Sequence, residues 1–202
     1  MTPFDGIVLA GGRSSRMREL GSEIDKTRLE LGDRMLVEIA VAAVSGARTR
    51  IVVGPSSNGR PAFTDVRWVR EDPVGGGPVA ALAAGLAVTT APVVVLLAAD
   101  LPFVTTATVG TLLDVLEEPD PIAAVAAVAV DDQDRDQPLL AAYRAGALRV
   151  ALPEPPAGGR LRDVLDALAR AGELRRVPLP GTPPAWWDCD SPGAWEQARM
   201  WS

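Results

Sequence analysis

The segment Val93-Val94-Val95-Leu96-Leu97-Ala98 has no polar residue on either side of a strand's two-residue period. Such a strand has no face to turn to water and needs cover on both. Further short apolar runs occur at Phe4–Ala10, Arg50–Val53, Val66–Val69, Ile122–Val130, Leu139–Tyr143 and Leu174–Val177. Between and after them lie helix-like segments at Arg34–Ser45, Pro78–Val88, Thr105–Glu117, Ala145–Ala151, Arg160–Ala171 and Pro192–Met200. This alternation predicts an α/β fold in three layers, a mostly parallel Rossmann-like sheet with helices on both faces. Ile122–Tyr143 departs from it. It predicts a hairpin around the acidic turn Asp131–Asp136, a small antiparallel portion in the C-terminal half. Asp33 is placed to cap the first helix and Gly46 to end it. Pro78 suits a first helical position, and Ser191-Pro192 reads as a cap followed by proline.

The chain has 202 residues, of which 48% are hydrophobic, enough for a packed core. We expect a single domain over residues 1–202, with the Pro/Gly-rich stretches Pro153–Gly159 and Pro178–Pro184 as connectors inside it. The formal net charge of -6 argues against a nucleic-acid binder, which needs a basic face. There is no histidine and one cysteine, Cys189. That excludes an internal disulfide, a Cys/His zinc site and histidine-based acid–base chemistry. A catalytic metal would sit on oxygen ligands, which favours Mg²⁺. Met1–Asp5 lacks the features of a signal peptide, and the apolar runs are too short to span a bilayer. The expected location is cytoplasmic, with no membrane contact.

In an open α/β sheet, ligands bind beyond the carboxyl ends of the strands. Four polar clusters fall there. The first is Leu9-Ala10-Gly11-Gly12-Arg13-Ser14-Ser15-Arg16-Met17. Its two glycines let the backbone turn and bare consecutive N–H groups, and Arg13, Arg16 and the later Lys26 add positive charge. That combination suits a triphosphate. The spacing fits neither G-x-G-x-x-G nor G-x-x-x-x-G-K-[ST]. The second cluster is Glu71-Asp72-Pro73-Val74-Gly75-Gly76-Gly77-Pro78. The third is Asp100, at the end of the most apolar strand and before Leu101-Pro102-Phe103. The fourth is Trp187-Asp188-Cys189-Asp190-Ser191-Pro192. Carboxylates facing a cationic phosphate cradle suggest a site for a magnesium nucleotide.

These blocks, in this order, resemble the signature of the molybdenum cofactor guanylyltransferase-like nucleotidyltransferases. The glycine loop with Asp25-Lys26 is similar to the family's first block and Glu71-Asp72-Pro73 with Gly77-Pro78 to its second. Asp100-Leu101-Pro102-Phe103, Gln137-Pro138-Leu139-Leu140 and the tryptophan–aspartate block resemble the third, fourth and last. The interval between Met17 and Asp25 is longer than the family's, with Arg18 where a glycine is usual, and Asp188 and Asp190 stand where asparagines are common.

The resemblance implies a fold of the nucleotide-diphospho-sugar transferase type and transfer of GMP from GTP to molybdopterin, with loss of pyrophosphate. Leu9, Ala10, Gly11, Gly12, Arg13 and Ser14 would hold base and phosphates, with Asp72 and Gly77 at the nucleoside. Arg16 and Lys26 would neutralise phosphate charge. Asp100 would bind Mg²⁺ with Asp190 beside it. Molybdoenzyme maturation proteins would be transient partners. Two alternatives stay open: a relative using CTP or another phosphorylated acceptor, and a binding module without catalysis. Trp68, Trp186, Trp187, Trp195 and Trp201 are expected to pack, with Trp186 and Trp187 the best exceptions. Cys189 is expected to be a small buried residue. Asp131–Asp136 is expected to be a solvated turn, and Arg160, Arg162, Arg175 and Arg176 exposed charges.

Overall fold

The computed structural model describes residues 2–11, 29–55, 65–120 and 122–202. In chain order the elements are β1 (Phe4–Leu9), β2 (Glu30–Leu31), β3 (Arg34–Met35), α1 (Leu36–Ala43), β4 (Arg50–Val53), β5 (Val66–Val69), α2 (Pro78–Leu86) and β6 (Val93–Ala98). Then follow α3 (Thr106–Glu117), β7 (Ala124–Val130), β8 (Asp136–Arg144), α4 (Ala145–Ala151), α5 (Leu161–Ala171), β9 (Glu173–Pro178) and α6 (Pro192–Trp201).

The main sheet has seven strands in the order β5-β4-β1-β6-β8-β7-β9. β1 pairs in parallel with β4 and β6, β4 with β5, and β7 with β9. β8 runs against both of its neighbours, β6 and β7. The expected mostly parallel sheet with a small antiparallel portion is what forms. β1 and β6, the central strands, are buried along their whole length. On one face Val8, Val95 and Leu97 pack with Val37 and Val41 of α1 and with Leu112, Leu113 and Leu116 of α3. On the other, Ile7, Val94 and Leu96 pack with Leu82 and Leu86 of α2, Leu148 of α4, and Val164 and Leu168 of α5. These are the three layers that strands without a polar face require.

Three local readings need correction. The chain before the first helix makes a two-stranded ribbon, Glu30–Leu31 against Arg34–Met35, with Asp33 in its turn. Asp33 therefore caps nothing, and α1 starts at Leu36, where the Glu38 carboxylate accepts the Met35 N–H at 2.9 Å. Gly46 does not end α1 either, because the helix stops at Ala43 and a turn intervenes. The proline and serine signals hold: Gly77 precedes Pro78 at the start of α2, and Ser191 Oγ accepts from Ala194 N–H at the start of α6.

The third correction concerns Arg175. Its guanidinium is only 9% exposed and donates to the carbonyls of Val115 and Glu118, at 2.8 and 3.1 Å. It thus satisfies carbonyls that the C-terminus of α3 leaves without helical donors. Arg160, Arg162 and Arg176 are exposed as expected.

A buried carboxylate went unforeseen. Asp5, fully enclosed in β1, accepts N–H bonds from Thr49 (3.1 Å), Thr90 (2.8 Å) and Ala91 (2.9 Å). It ties together the loops entering β4 and β6 at the amino edge of the sheet, leaving the carboxyl edge for chemistry.

Candidate active site

β1, β4, β5 and β6 are parallel, so their carboxyl ends open on the same edge. Leu9 pairs with Val53 and with Ala98. One residue on, Ala10 N–H donates to Val53 O at 2.8 Å, and Ala99 N–H donates to Leu9 O at 3.0 Å. The glycine loop thus leaves the sheet at its centre, clamped from both sides. Leu9 and Ala10 are buried and Gly11 is exposed. Since the ladder uses the Ala10 N–H, amide donors for a phosphate have to come from Gly11 onward. Leu9 and Ala10 serve as the anchored base of the loop.

Gly54 sits behind this loop. A Cβ on Gly54 would lie 2.9 Å from the Ala10 carbonyl carbon and 3.0 Å from Gly11 N, closer than real Cβ atoms come. Only glycine lets β4 and the loop approach so closely. Glu71, the first carboxylate past β5, reaches the same spot. Its oxygens lie 3.7 and 3.9 Å from where a Gly11 Cβ would be, and its Oε1 accepts the Gly75 N–H at 3.1 Å. Asp72 follows on the exposed loop, which ends at Gly77, held at φ 93° where a side chain would be strained.

Asp100 lies two residues beyond Ala98, the partner of Leu9, and is half-buried at the edge of the sheet. Its carbonyl accepts the Cys189 N–H at 3.0 Å. That bond brings the Asp188–Asp190 block to the Asp100 turn although almost ninety positions separate them in sequence. Cys189 itself is fully buried with Leu31, Leu36 and Ala198, as expected. Among the described residues no group of three or more acidic, histidine or cysteine side chains is placed to hold a metal ion. Magnesium keeps waters and substrate phosphates as ligands and needs only one or two protein carboxylates, so Asp100 with Asp190 fits it.

Beside this block a cleft of about 240 Å³ is lined by Asp131, Gln133, Gln137, Trp186, Trp187 and Asp188, among others. Asp131, expected in a solvated turn, is buried and organises the β7–β8 turn. Its carboxylate accepts from the N–H of Gln133 and of Arg135 (both 2.9 Å), from Arg135 Nε (2.7 Å) and from Gln137 Nε2 (3.0 Å). Burial pushes the Asp131 carboxyl up, but the hydrogen bonds from Arg135 and Gln133 outweigh it, and its pKa falls below the ordinary 3.8. The next residues of the turn are exposed, as expected. Trp187 meets Trp201 edge-on at 4.9 Å and donates from Nε1 to Ala194 O, so it packs and lines the cleft at once.

Of the sequence-predicted site, Leu9, Ala10 and Gly11 come together with Asp100 on adjacent strand ends. Asp72 and Gly77 lie on the loop after β5, beyond β4 on the same edge, and the Asp190 block is tied to the Asp100 turn through Cys189. Gly12, Arg13, Ser14, Arg16 and Lys26 lie outside the described residues. Glu71 and Asp131 were missed as individual side chains. For Glu71 the signal was its place beside Asp72, and for Asp131 its place immediately after an apolar strand.

The sequence matches the MobA-like NTP transferase domain over residues 6–173, most of the chain. The chain belongs to the MobA-like NTP transferase family. No curated protein matches it. Solved structures give its fold relatives. A nucleotidyl transferase from Methanothermobacter is 24% identical with a TM-score of 0.77, covering 98% of this chain and 96% of that one. Molybdopterin-guanine dinucleotide biosynthesis protein A from Archaeoglobus fulgidus is 20% identical with a TM-score of 0.69, covering 97% of each. The 2-C-methyl-D-erythritol 4-phosphate cytidylyltransferase of Thermus thermophilus is 17% identical with a TM-score of 0.68, covering 96% of each. The NTP transferase fold is thus shared by proteins whose names specify different nucleotides and acceptors.

Proposed function

We propose that this NTP transferase is a magnesium-dependent guanylyltransferase that joins GMP from GTP to molybdopterin. The observation that carries this reading is the arrangement at the carboxyl edge: a glycine loop leaving β1 at the centre of the sheet, with the Asp100 carboxylate at the adjoining strand end. The family supports nucleotidyl transfer, and the resemblance of the blocks supports this nucleotide and acceptor.

In the reaction, a phosphate oxygen of the acceptor attacks the α-phosphorus of GTP. A new P–O bond forms, the bond from the α-phosphorus to the bridging oxygen breaks, and pyrophosphate leaves with the electron pair. The acceptor oxygen is already anionic at neutral pH, so no protein base is needed. Catalysis rests on positioning and charge neutralisation. Backbone amides from Gly11 through Ser14 cradle the phosphates. Arg13, Arg16 and Lys26 would offset the charge that builds on pyrophosphate. Asp72 and Gly77 border the nucleoside. Mg²⁺, held by Asp100 with Asp190, supplies further neutralisation of the phosphates when bound. The cleft of Gln137, Trp186 and Trp187 lies on the acceptor side.

The test is pyrophosphate release with GTP, CTP, ATP and UTP, each offered with molybdopterin or another phosphorylated acceptor, in magnesium and in EDTA. The reading expects turnover with GTP and molybdopterin in magnesium. Turnover with CTP alone would move the protein to the cytidylyl branch. No turnover with any pair would favour a binding module.

A further inference from the structure

Among the described residues, one buried side-chain polar atom has no hydrogen-bond partner, and it is Oε2 of Glu71. An acceptor removed from water and left without a donor is costly, and more so when it is charged. Buried polar atoms in folded proteins nearly always have partners, so an orphan asks what completes it.

The position of Glu71 narrows the answer. Oε1 is held by the Gly75 N–H, which fixes the plane of the carboxylate. Oε1 and Oε2 lie 3.7 and 3.9 Å from where a Cβ on Gly11 would stand, and the Gly11 backbone is exposed at the mouth of the loop. The volume that a Cβ on Gly11 would fill is in ordinary contact with both oxygens and with Gly54 Cα, and no described atom comes nearer. A group laid against Gly11 would lie beside the carboxylate, whose Oε2 has no partner.

We propose that Glu71 reads the nucleobase, its Oε2 accepting from the amino group of guanine. The proposal rests on the guanylyl-transfer reading and deepens it by naming a residue that selects the base. A carboxylate oxygen is only an acceptor at neutral pH. On one edge guanine presents two adjacent donors, N1–H and the N2 amino group. Adenine presents a ring-nitrogen lone pair at the first of these positions and would meet the carboxylate with repulsion. Cytosine pairs its amino group with an adjacent acceptor, and uracil flanks its N–H with two carbonyls. Hypoxanthine keeps N1–H but lacks the amino group, so ITP is the probe that isolates this contact.

The experiment is equilibrium binding of GTP, ITP, ATP and CTP in magnesium to the full chain and to Glu71→Gln. The wild type is expected to bind GTP about tenfold or more tighter than ITP, the range for a hydrogen bond to a charged group. Glu71→Gln offers a neutral and weaker acceptor, and should bring the GTP/ITP ratio below about threefold with ITP binding little changed. Equal wild-type affinity for GTP and ITP overturns the proposal, and decides it even where the variant does not fold. A folded variant that keeps the full ratio overturns it as well, as does wild-type preference for another base. If the wild type binds no nucleotide at all, the guanylyl-transfer reading itself fails, and this assignment falls with it.

Discussion

At the scale of single residues, one buried carboxylate at the amino edge of the sheet holds two loops in place. Asp5, at the amino edge, answers three backbone N–H groups from two loops. Asp5→Ala removes the acceptor of these three N–H groups and leaves the buried Ala91 N–H without a partner, which should destabilise the fold by about 1–3 kcal/mol, read as a lower midpoint in urea unfolding. A midpoint within experimental error of wild type would show that the loops find other partners. Gly54 makes a different demand. A methyl there drives into the Ala10 backbone, so Gly54→Ala should weaken nucleotide binding by an order of magnitude or more and stability only modestly, since it displaces the loop rather than the core. Unchanged affinity would mean that the loop yields without losing its shape. At Lys26, substitution by alanine should lower kcat well beyond any change in acceptor KM, because the group is proposed to act on charge that develops on the leaving pyrophosphate. Unchanged kcat would place Lys26 away from the phosphates, the outcome its lengthened approach through Arg18–Ile24 would produce.

At the scale of elements, the β7–β8 hairpin depends on Asp131. Its pKa lies below the unfolded value of 3.8, so its contribution to stability is complete above about pH 4 and is lost as pH falls through the lower folded value. Asp131→Asn should therefore flatten the dependence of unfolding free energy on pH below about 4 and change its shape little above that. An acid limb identical to wild type would assign the pH dependence to other carboxylates. Elements also show what a sequence can convey. Val93–Ala98 forms with the bounds its apolar run predicts, because a strand covered on both faces is apolar from end to end; Arg50–Val53 and Val66–Val69 also form with their predicted bounds, the latter at the edge of the sheet with Arg67 exposed. The ribbon of β2 and β3 could not be read this way, since two residues are too short to show a period of two. β8 begins at Asp136, before its apolar stretch, because its polar start pairs with β7 at the rim. Whether Arg175 lies in water or against the end of α3 is a tertiary fact with no local signature.

For the whole molecule, the legible part of the site was its backbone frame and its order along the chain. Leu9–Gly11, Asp72, Gly77, Asp100 and Asp190 could be assigned to one edge because parallel strands put all their carboxyl ends on the same side. Side-chain direction was not legible. That Glu71 turns toward Gly11, and that Asp131 folds inward to gather Gln133, Arg135 and Gln137, both follow from loop conformations that the residue types leave open. Among the described residues no helix is long and apolar enough to cross a membrane. Asp100 and the glycine loop are proposed to act together on one triphosphate. The most direct test is pyrophosphate release from GTP and molybdopterin, followed across a magnesium titration for wild type and Asp100→Ala. Magnesium-dependent turnover is expected for the wild type, and for the folded variant a fall of about two or more orders of magnitude that added magnesium does not restore. Wild-type rates from Asp100→Ala would contradict this.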